Sequence, residues 1–355
     1  MPPGKTMRET AARLEDEIAD MALRIAADLR LTIGARQALV ARHARFTDIL
    51  ARLRAVLLRF ERSARGNGAP ANTRDQQYFR RLRRRVLMLE RIAEALALTV
   101  LAEPSLLYPD WLPRKHAAMV QIDLLDTAMI WLHRLVIPPQ QSEAAVALGC
   151  YPDIPLGSVS FMSHAHVAYR AALAQKRTRP LRFLDVGCGG GIKVLLAAGL
   201  FDEAVGFDYD AAYVDAAQAS FARMGAQRCQ AFRGNGLEFE DYAGFDVIYL
   251  FKPMSDPGAL ARLEARIVDD ARPGTIVIAP YQEFFLRHEG HNCHRLQGAV
   301  YITAQSEAAV RELHAEACRM GPDVRSPDCG VHQAHPQWLR ALFMACAENG
   351  HMPPV

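Results

Sequence analysis

The chain has 355 residues, a length typical of about two domains, and half of its residues are hydrophobic. Its apolar runs stay short of the ~20 residues that a membrane-spanning helix needs, and charged residues interrupt the N-terminal segment, so we expect a soluble protein with no membrane span and no secretory signal. The net charge is only +3, and the seven cysteines are scattered without a C-x-x-C pair, which favours a reduced, cytoplasmic protein.

The first part of the chain is basic and almost wholly helical in pattern. It carries 23 basic and 16 acidic side chains up to residue 150, whereas the remainder carries 19 and 23. Apolar residues recur at spacings of three and four in four runs: Met7–Ile25, Leu39–Phe60, Phe79–Val100 and His116–Val136. We therefore predict a helical bundle domain over residues 1–150 and a second domain over residues 151–355.

One helix of this bundle carries a dense group of arginines, Arg80, Arg81, Arg83, Arg84 and Arg85. They occupy positions that the apolar stripe leaves free, so they lie on the side that faces water. Two interpretations stay open. The group is either a patch for phosphate, nucleic acid or an acidic protein, or an ordinary solvated face, which the absence of interleaved aromatic residues favours.

After a segment rich in proline and glycine, Tyr151–Gly157, and a predicted helix, Ser158–Gln175, the residues 181–210 form the most informative stretch. A short apolar strand ends in Asp185, a glycine cluster follows, then a helical pattern, and a second strand ends in Asp208. Strand, glycine turn, helix, strand and acid make up one nucleotide-binding βαβ half. A dinucleotide fingerprint would need a sixth-position glycine where Ile192 stands, so that reading fails.

The sequence pattern D-x-G-x-G-x-G, with Asp185, Gly187, Gly189 and Gly191, resembles motif I of the class I S-adenosylmethionine-dependent methyltransferases. This resemblance covers about residues 158–303. It implies an α/β fold, a Rossmann-like methyltransferase sheet that follows the N-terminal all-helical domain, and S-adenosyl-L-methionine as the cofactor. The resemblance also implies an antiparallel hairpin at the end of the sheet, of which the sequence shows one strand clearly, residues 299–303.

The same resemblance assigns a set of cofactor-binding residues. The turn from Asp185 through Gly187, Gly189 and Gly191 would face the methionine part of the cofactor. Asp208, with Tyr209 beside it, would hold the ribose, because a carboxylate at a strand tip can accept both ribose hydroxyls. Asn235 and Gly236 stand where the family commonly has an acid and a small residue at the adenine, and an amide can also donate to and accept from that ring.

Candidate catalytic residues follow the fourth and fifth predicted strands, where open α/β sheets bind their ligands. In order of preference they are Tyr281, Glu283, Lys252 and His288. Lys252 either binds an acidic substrate or extends into solvent. The sequence Phe251-Lys252-Pro253-Met254 departs from the N-P-P-[YF] of enzymes that methylate base amines, which argues against that chemistry.

Histidines supply two further candidate groups. In this family the segment before the first strand often covers the cofactor pocket, so His164, His166 and Tyr169 are either rim residues or packed residues. The group His288, His291, Cys293 and His294 has a spacing that matches no standard zinc finger and would need a second pair such as Cys329 and His332. We therefore expect no metal and interpret residues 280–298 as a substrate-facing or ordinary loop.

The predicted activity is methyl transfer to a small molecule or a protein side chain. Two alternatives stay open: a nucleic-acid methyltransferase that uses the Arg80–Arg85 group, and a non-catalytic protein that binds the cofactor in an assembly. The expected partners are a methyl acceptor and a second copy of the chain bound through the helical domain. Nucleic acid is a less favoured partner, and no membrane is expected.

Overall fold

The structure is a computed structural model. It describes residues 3–30, 36–66, 73–101, 104–108, 117–137, 141–154, 157–177, 179–321 and 336–350. The chain divides into two compact units. The first combines residues 1–103 with residues 319–355, and the second consists of residues 104–318.

The first unit is an all-helical bundle. Its helices are α1 (Pro3–Leu29), α2 (Arg36–Gly66), α3 (Thr73–Leu101) and, from the other end of the chain, α12 (Gln337–Glu348). The apolar stripes that the sequence shows in α1, α2 and α3 form one buried core, in which the rings of Phe60 and Phe79 stack 3.8 Å apart. The helices thus form because each buries its stripe against the others.

The boundary between the units differs from the predicted one at residue 150. Helix α12 joins the first unit because Leu339, Leu342 and Cys346 lie in the same core as α1. Arg30 pairs with Glu348 at 2.9 Å, which fixes the end of α12 beside the end of α1. Residues 104–150, which the periodicity placed in the bundle, belong to the second unit instead. Helical periodicity reports that a face is buried, but it does not report which partner buries it.

The arginine group lies on α3, as predicted. Arg85 pairs with Glu15, and Arg83 lies 4.0 Å from Glu61. Arg80, Arg81 and Arg84 are exposed. The group is thus partly neutralised within the bundle, and four of its side chains, Arg83 included, are exposed to solvent.

The second unit is a seven-stranded sheet with helices. Its strands are β1 (Arg182–Val186), β2 (Glu203–Asp208), β3 (Cys229–Arg233), β4 (Val247–Leu250), β5 (Ile276–Ile278), β6 (Cys293–Gln297) and β7 (Val300–Thr303). Its helices are α4 (Ala117–Val136), α5 (Glu143–Ala147), α6 (Ser158–Ala174), α7 (Ile192–Ala197), α8 (Ala211–Met224), α9 (Pro257–Asp270), α10 (Gln282–His288) and α11 (Glu307–Arg319). Among the described helices of the chain, none has the length and apolar character of a bilayer-spanning segment.

The strand order of the sheet is β3-β2-β1-β4-β5-β7-β6. Strands β1 to β5 are parallel, and their central members read as apolar runs because both faces are covered. The chain moves from β1 outward to β3 and then returns to the other side of β1 with β4. The carboxyl ends of β1 and β4 therefore flank the point where the order reverses, which is where such sheets bind ligands.

The region 280–298 differs from the predicted loop. It contains the helix α10 and the strand β6, and β6 pairs with β7 in the antiparallel hairpin that the family resemblance implies. The strand was not readable from the sequence because its register shifts between Arg295 and Gln297, which breaks the alternation of apolar and polar residues.

Asp246 is a fully buried carboxylate directly before β4, at the amino ends of the central strands. It accepts a hydrogen bond from the backbone N–H of Arg182 at the start of β1, 2.9 Å away. Arg177 and Arg179 pair with it, and the guanidinium of Arg272 lies 3.6 Å away. The charge of Asp246 is therefore compensated on all sides by this chain alone.

We expect Asp246→Ala to lower the free energy of unfolding of the second unit by about 3–5 kcal/mol, because it leaves buried guanidinium charge without its partner. Denaturant unfolding measures the change. Asp269→Ala, which removes an exposed acid from α9, is the matched control and should change stability by less than about 0.5 kcal/mol. A similar small change in both variants would contradict this structural role.

Candidate functional site

A crevice lies at the carboxyl ends of β1 and β4 and encloses about 880 Å³ of space, its open mouth included. Its walls come from the turn after β1, the ends of β2 and β4, the loop after β3, and residues 148–154. The predicted residues that line it are Asp185, Gly187, Gly189, Asp208, Tyr209, Asn235, Gly236 and Lys252.

At the positions of the glycine turn, a side chain would collide with neighbouring atoms. Gly189 has a φ of +50°, and a Cβ there would lie 2.4 Å from the carboxylate carbon of Asp153. Gly191 has a φ of +77°, and a Cβ there would meet Phe221 of α8 at 2.6 Å. Gly187 and Gly189 line the crevice, whereas Gly191 permits close packing between the turn and α8.

Asp185 at the end of β1 is 2 % exposed, and its Oδ2 has no hydrogen-bond partner among the described residues. Burial raises the pKa of this carboxyl to about 8, the nearby Lys193 opposes that rise, and Asp153 and Asp208 add to it. A buried acceptor without a partner, at the floor of a crevice, is a group arranged for a ligand that donates hydrogen bonds.

Asp208 lies at the tip of β2, as predicted. Its Oδ2 accepts from the N–H of Gly189 at 2.8 Å and its Oδ1 from the N–H of Asp210 at 2.9 Å. Burial raises the pKa of this carboxyl to about 6, although the two backbone hydrogen bonds oppose that rise. The carboxylate thus joins the turn after β1 to the end of β2 and keeps lone pairs for a ligand in the crevice.

The residues predicted at the adenine have partners within their own loop. The side chain of Asn235 donates to Glu238 at 3.0 Å and accepts from the N–H of Leu237 at 3.1 Å. Tyr242 donates to the carbonyl of Gly236 at 2.7 Å. Tyr209 carries the guanidinium of Arg233 over its ring, 5.4 Å from the centroid. These contacts fix the loop shape along one wall of the crevice.

Lys252 lines the crevice after β4 and pairs with Glu283 of α10, which does not line the crevice. Their Nζ and Oε1 atoms lie 2.7 Å apart, which joins the segment after β4 to α10. The ammonium also lies 5.6 Å from the centroid of the Tyr281 ring. The hydrogen bond from Lys252 lowers the pKa of the Glu283 carboxyl, so this acid is ionised at neutral pH.

Tyr281 and His288 converge on a residue that the sequence did not single out, Glu264 of α9. Its buried carboxylate accepts from the Tyr281 hydroxyl at 3.0 Å, lies 3.0 Å from Nε2 of His288, and accepts from Arg287 at 2.7 Å. Burial alone would raise the pKa of Glu264, but the hydrogen bonds from His288, Arg287 and Tyr281 lower it. The cluster anchors α10 on α9, and neither Tyr281 nor His288 lines the crevice.

The remaining candidates lie elsewhere. Nδ1 of His164 is 2.7 Å from the hydroxyl of Tyr108, and Tyr169 is buried against Phe201. Neither of the two lines the crevice, nor does His166. Cys293 is fully buried.

The candidate metal ligands of residues 288–294 have other contacts in the structure. Across the described residues, no group of three or more histidine, cysteine or acidic side chains is placed to bind a metal ion. His288 contacts Glu264, and Nδ1 of His294 lies 3.8 Å from Glu289. Cys329 and His332, the second pair that a zinc site would need, lie outside the described residues.

Sequence reasoning missed two residues that line the crevice, Asp153 and Lys193, and a third, His133, that lies beside Asp153. Lys193 is 6 % exposed and follows directly after the glycine turn, so its position in the sequence could have identified it as a candidate site residue. Asp153 accepts from the N–H of Gly190 at 2.8 Å, and Nε2 of His133 lies 3.1 Å from it. No sequence signal joins these two, because tertiary packing brings α4 and the residues before α6 to the turn.

The pKa of Asp185 predicts how stability depends on pH. The folded protein keeps the Asp185 proton up to about pH 8, whereas the unfolded chain releases it near pH 4. The free energy of unfolding therefore falls as pH rises between these values. We expect Asp185→Asn to remove this dependence, so that the stability of the variant relative to the wild type rises by up to about 2–3 kcal/mol between pH 5.5 and 7.5.

Denaturant unfolding at the two pH values measures this difference. Asp215→Asn, which removes an exposed acid on α8, is the control and should show the same offset from the wild type at both. If the difference in stability between Asp185→Asn and the wild type were also the same at both pH values, Asp185 would be ionised in the folded protein.

Comparison with known proteins adds independent information on this unit. Residues 183–273 match the family model described as a methyltransferase domain. A comparison with curated proteins found no match.

Solved structures that are similar to part of this chain include two described as methyltransferases and a third in complex with AdoHcy. An RNA methyltransferase from Salinibacter ruber, in complex with S-adenosyl-L-homocysteine, is 19% identical over 43% of this chain and 95% of its own, with a TM-score of 0.34. The sugar N-methyltransferase KedS8 from Streptoalloteichus is 19% identical over 34% and 49%, with a TM-score of 0.28. PKMT2 from Rickettsia typhi, in complex with AdoHcy, is 17% identical over 32% and 24%, with a TM-score of 0.28.

The family match spans β1 to the turn after α9 and contains the glycine turn, Asp185 and Asp208. The sheet ends in the antiparallel hairpin that the motif resemblance implies. The chain therefore contains a methyltransferase domain over residues 183–273, within the α/β sheet of the second unit.

Proposed function

We propose that this methyltransferase acts on a nucleophile of a small molecule or a protein side chain, which enters at the ends of β4 and β5. The observation that supports this most is the Lys252–Glu283 pair, in which Lys252 lines the crevice and Glu283 of α10 holds its ammonium from outside the lining. The aromatic ring of Phe251 lies beside it, 6.0 Å from that of Tyr281. A polar pair beside aromatic rings suits a compact acceptor that has both polar and flat apolar parts.

The described residues fit S-adenosylmethionine on structural grounds. The partnerless Oδ2 of Asp185 fits a hydrogen-bond donor such as the ammonium of the methionine part. The carboxylate of Asp208 keeps lone pairs that fit ribose hydroxyls, and Gly187 and Gly189 leave room for a ligand against the turn. When bound, this cofactor supplies a methyl group on a sulfonium, which is already activated for transfer.

The contribution of the protein is orientation more than acid–base chemistry. Glu283 is an ionised carboxylate with a lowered pKa, which makes it a weak base. The hydroxyl of Tyr281 donates to Glu264, and its pKa is raised by burial. Neither side chain is therefore poised to take a proton at neutral pH. This favours an acceptor whose nucleophile needs only alignment and exclusion of water.

A nucleic-acid acceptor is the second candidate, because Arg80, Arg81 and Arg84 are exposed on α3. The segment Phe251-Lys252-Pro253-Met254 favours the first candidate, since it lacks the motif of base-amine methylation. The two differ in their salt dependence. Binding through phosphates weakens steeply as salt rises, whereas turnover of a small molecule does not.

We expect Glu283→Gln to lower kcat/KM for the acceptor by roughly 3- to 10-fold, because it weakens the contact that orients Lys252. The affinity for S-adenosylmethionine should stay unchanged. Transfer of a labelled methyl group to fractions of a cell extract identifies the acceptor, and steady-state kinetics with calorimetry then separate the two effects. Glu307→Gln, an exposed acid on α11, is the matched control.

Labelled methyl that appears only in nucleic acid, and less of it at higher salt, would overturn this proposal in favour of the second candidate. Cofactor binding without transfer to any fraction would instead identify a non-catalytic protein. An unchanged kcat/KM in Glu283→Gln would leave the class of acceptor standing but remove the role of the Lys252–Glu283 pair.

A further inference from the structure

Residues 150–154, which we call the strap, cross the crevice from one side to the other. Cys150 pairs with Met254 in an antiparallel bridge, and the N–H of Tyr151 donates to the carbonyl of Pro253 at 3.3 Å. The N–H of Asp153 donates to the hydroxyl of Tyr213 on α8 at 3.3 Å. The strap is thus attached to the end of β4 and to α8, and its residues line the crevice between them.

The carboxylate of Asp153 lies directly on the glycine turn. Its Oδ2 accepts from the N–H of Gly190 at 2.8 Å and lies 3.1 Å from Nε2 of His133. Within the described residues both contacts use Oδ2, which leaves Oδ1 for a ligand. The side chain of Asp153 is nine-tenths buried, and that of His133 is 5 % exposed. A buried carboxylate in such a fixed position is a built feature of the site.

The crevice therefore gathers three carboxylates, those of Asp153, Asp185 and Asp208, around one turn. Asp153 and Asp208 both raise the pKa of Asp185, which shows that their charges oppose its ionisation. Lys193 is the one lysine in this part of the crevice. A cation bound among these carboxyl groups would offset their mutual repulsion and would favour the ionised form of Asp185. The methionine part of the cofactor carries an ammonium group.

We propose that Asp153 is a cofactor-binding residue, whose carboxylate binds the ammonium of S-adenosylmethionine together with Asp185, and that His133 positions it. The assignment rests on the cofactor but not on the identity of the acceptor. Asp153 contacts the glycine turn, which in this family faces the methionine part, so the end of the cofactor that it meets is the amino-acid end.

A competing arrangement predicts the opposite effect. If the carboxylate of Asp153 occupied the place of the ligand carboxylate on the N–H of Gly190, it would have to leave before the cofactor binds. Removing its charge would then tighten binding. The two arrangements are distinguished by the sign of a single change in affinity.

The test is calorimetry on the full chain with S-adenosylmethionine and with S-adenosylhomocysteine. Asp153→Asn keeps the size of the side chain and an oxygen for Gly190 but removes the charge. We expect it to weaken the binding of both ligands about 10- to 100-fold, because both carry the ammonium. Asp215→Asn, an exposed acid on α8, should bind both as the wild type does.

A third ligand separates a direct contact from a general disturbance of the fold. 5′-Methylthioadenosine has the adenosine part but no amino-acid part, so its affinity should be the same in Asp153→Asn and in the wild type. His133→Gln should weaken the two larger ligands by a smaller factor, and should add little when combined with Asp153→Asn, since it acts through that residue.

Unchanged or tighter binding of both ligands by Asp153→Asn would overturn the proposal. A loss confined to S-adenosylmethionine would overturn it as well, because it would place Asp153 at the sulfonium. Weaker binding of 5′-methylthioadenosine would show that the variant has altered the turn itself. A wild type that binds neither of the larger ligands would overturn the role of Asp153 together with the cofactor assignment, whereas the other outcomes leave the cofactor assignment standing.

Discussion

The burial of Asp185 beneath the glycine turn is the interaction on which the site depends. A buried carboxyl loses its hydration, and this one has an oxygen that no described group of the protein satisfies. Asp153 and Asp208 add repulsion, so the carboxyl retains its proton to about pH 8 in the protein alone. A cationic ligand offsets both the lost hydration and the repulsion. The free energy that the fold loses at this point is therefore recovered only when a ligand binds.

Asp246, at the other end of the sheet, shows what a purely structural acid looks like in the same domain. It is buried as deeply as Asp185, yet one backbone N–H and three guanidinium groups surround it. Both residues lie at the ends of central strands. The difference is that the partners of Asp246 come from the protein, whereas Asp185 keeps an unpaired oxygen toward the crevice. Unsatisfied burial, more than burial itself, distinguishes the functional acid.

The sequence predicted those features of the fold and site that local pattern determines. The apolar runs of β1, β2 and β4, the glycine turn and Asp208 were all readable, because each is set by residues adjacent in the chain. Strand β6 was not, since its irregular register hides the alternation. The placement of α12 in the helical bundle was also unreadable, because its apolar stripe would fit any partner of the right shape.

Candidate side chains were harder to judge than backbone elements. Tyr281 and His288 follow the tip of β5, which made them reasonable catalytic candidates, but both contact Glu264, whose position in the middle of α9 gave no signal. Asp153 was hidden for the converse reason. It lies in a short segment that composition marks only as a linker, and its role depends on contacts with Gly190 and His133, distant in the chain. Pairings of this kind are fixed by tertiary structure alone.

The cofactor end and the acceptor end of the crevice share one short segment, residues 252–254. Lys252 has a φ of +43°, a left-handed conformation that is uncommon for a side chain of this size. The strap hydrogen-bonds to the next residue, Pro253, and Lys252 itself is held by Glu283. These two attachments hold the backbone in a conformation that it would otherwise seldom adopt. Because the strap also carries Asp153, the groups that we propose for the cofactor and for the acceptor are both attached to the segment that follows β4.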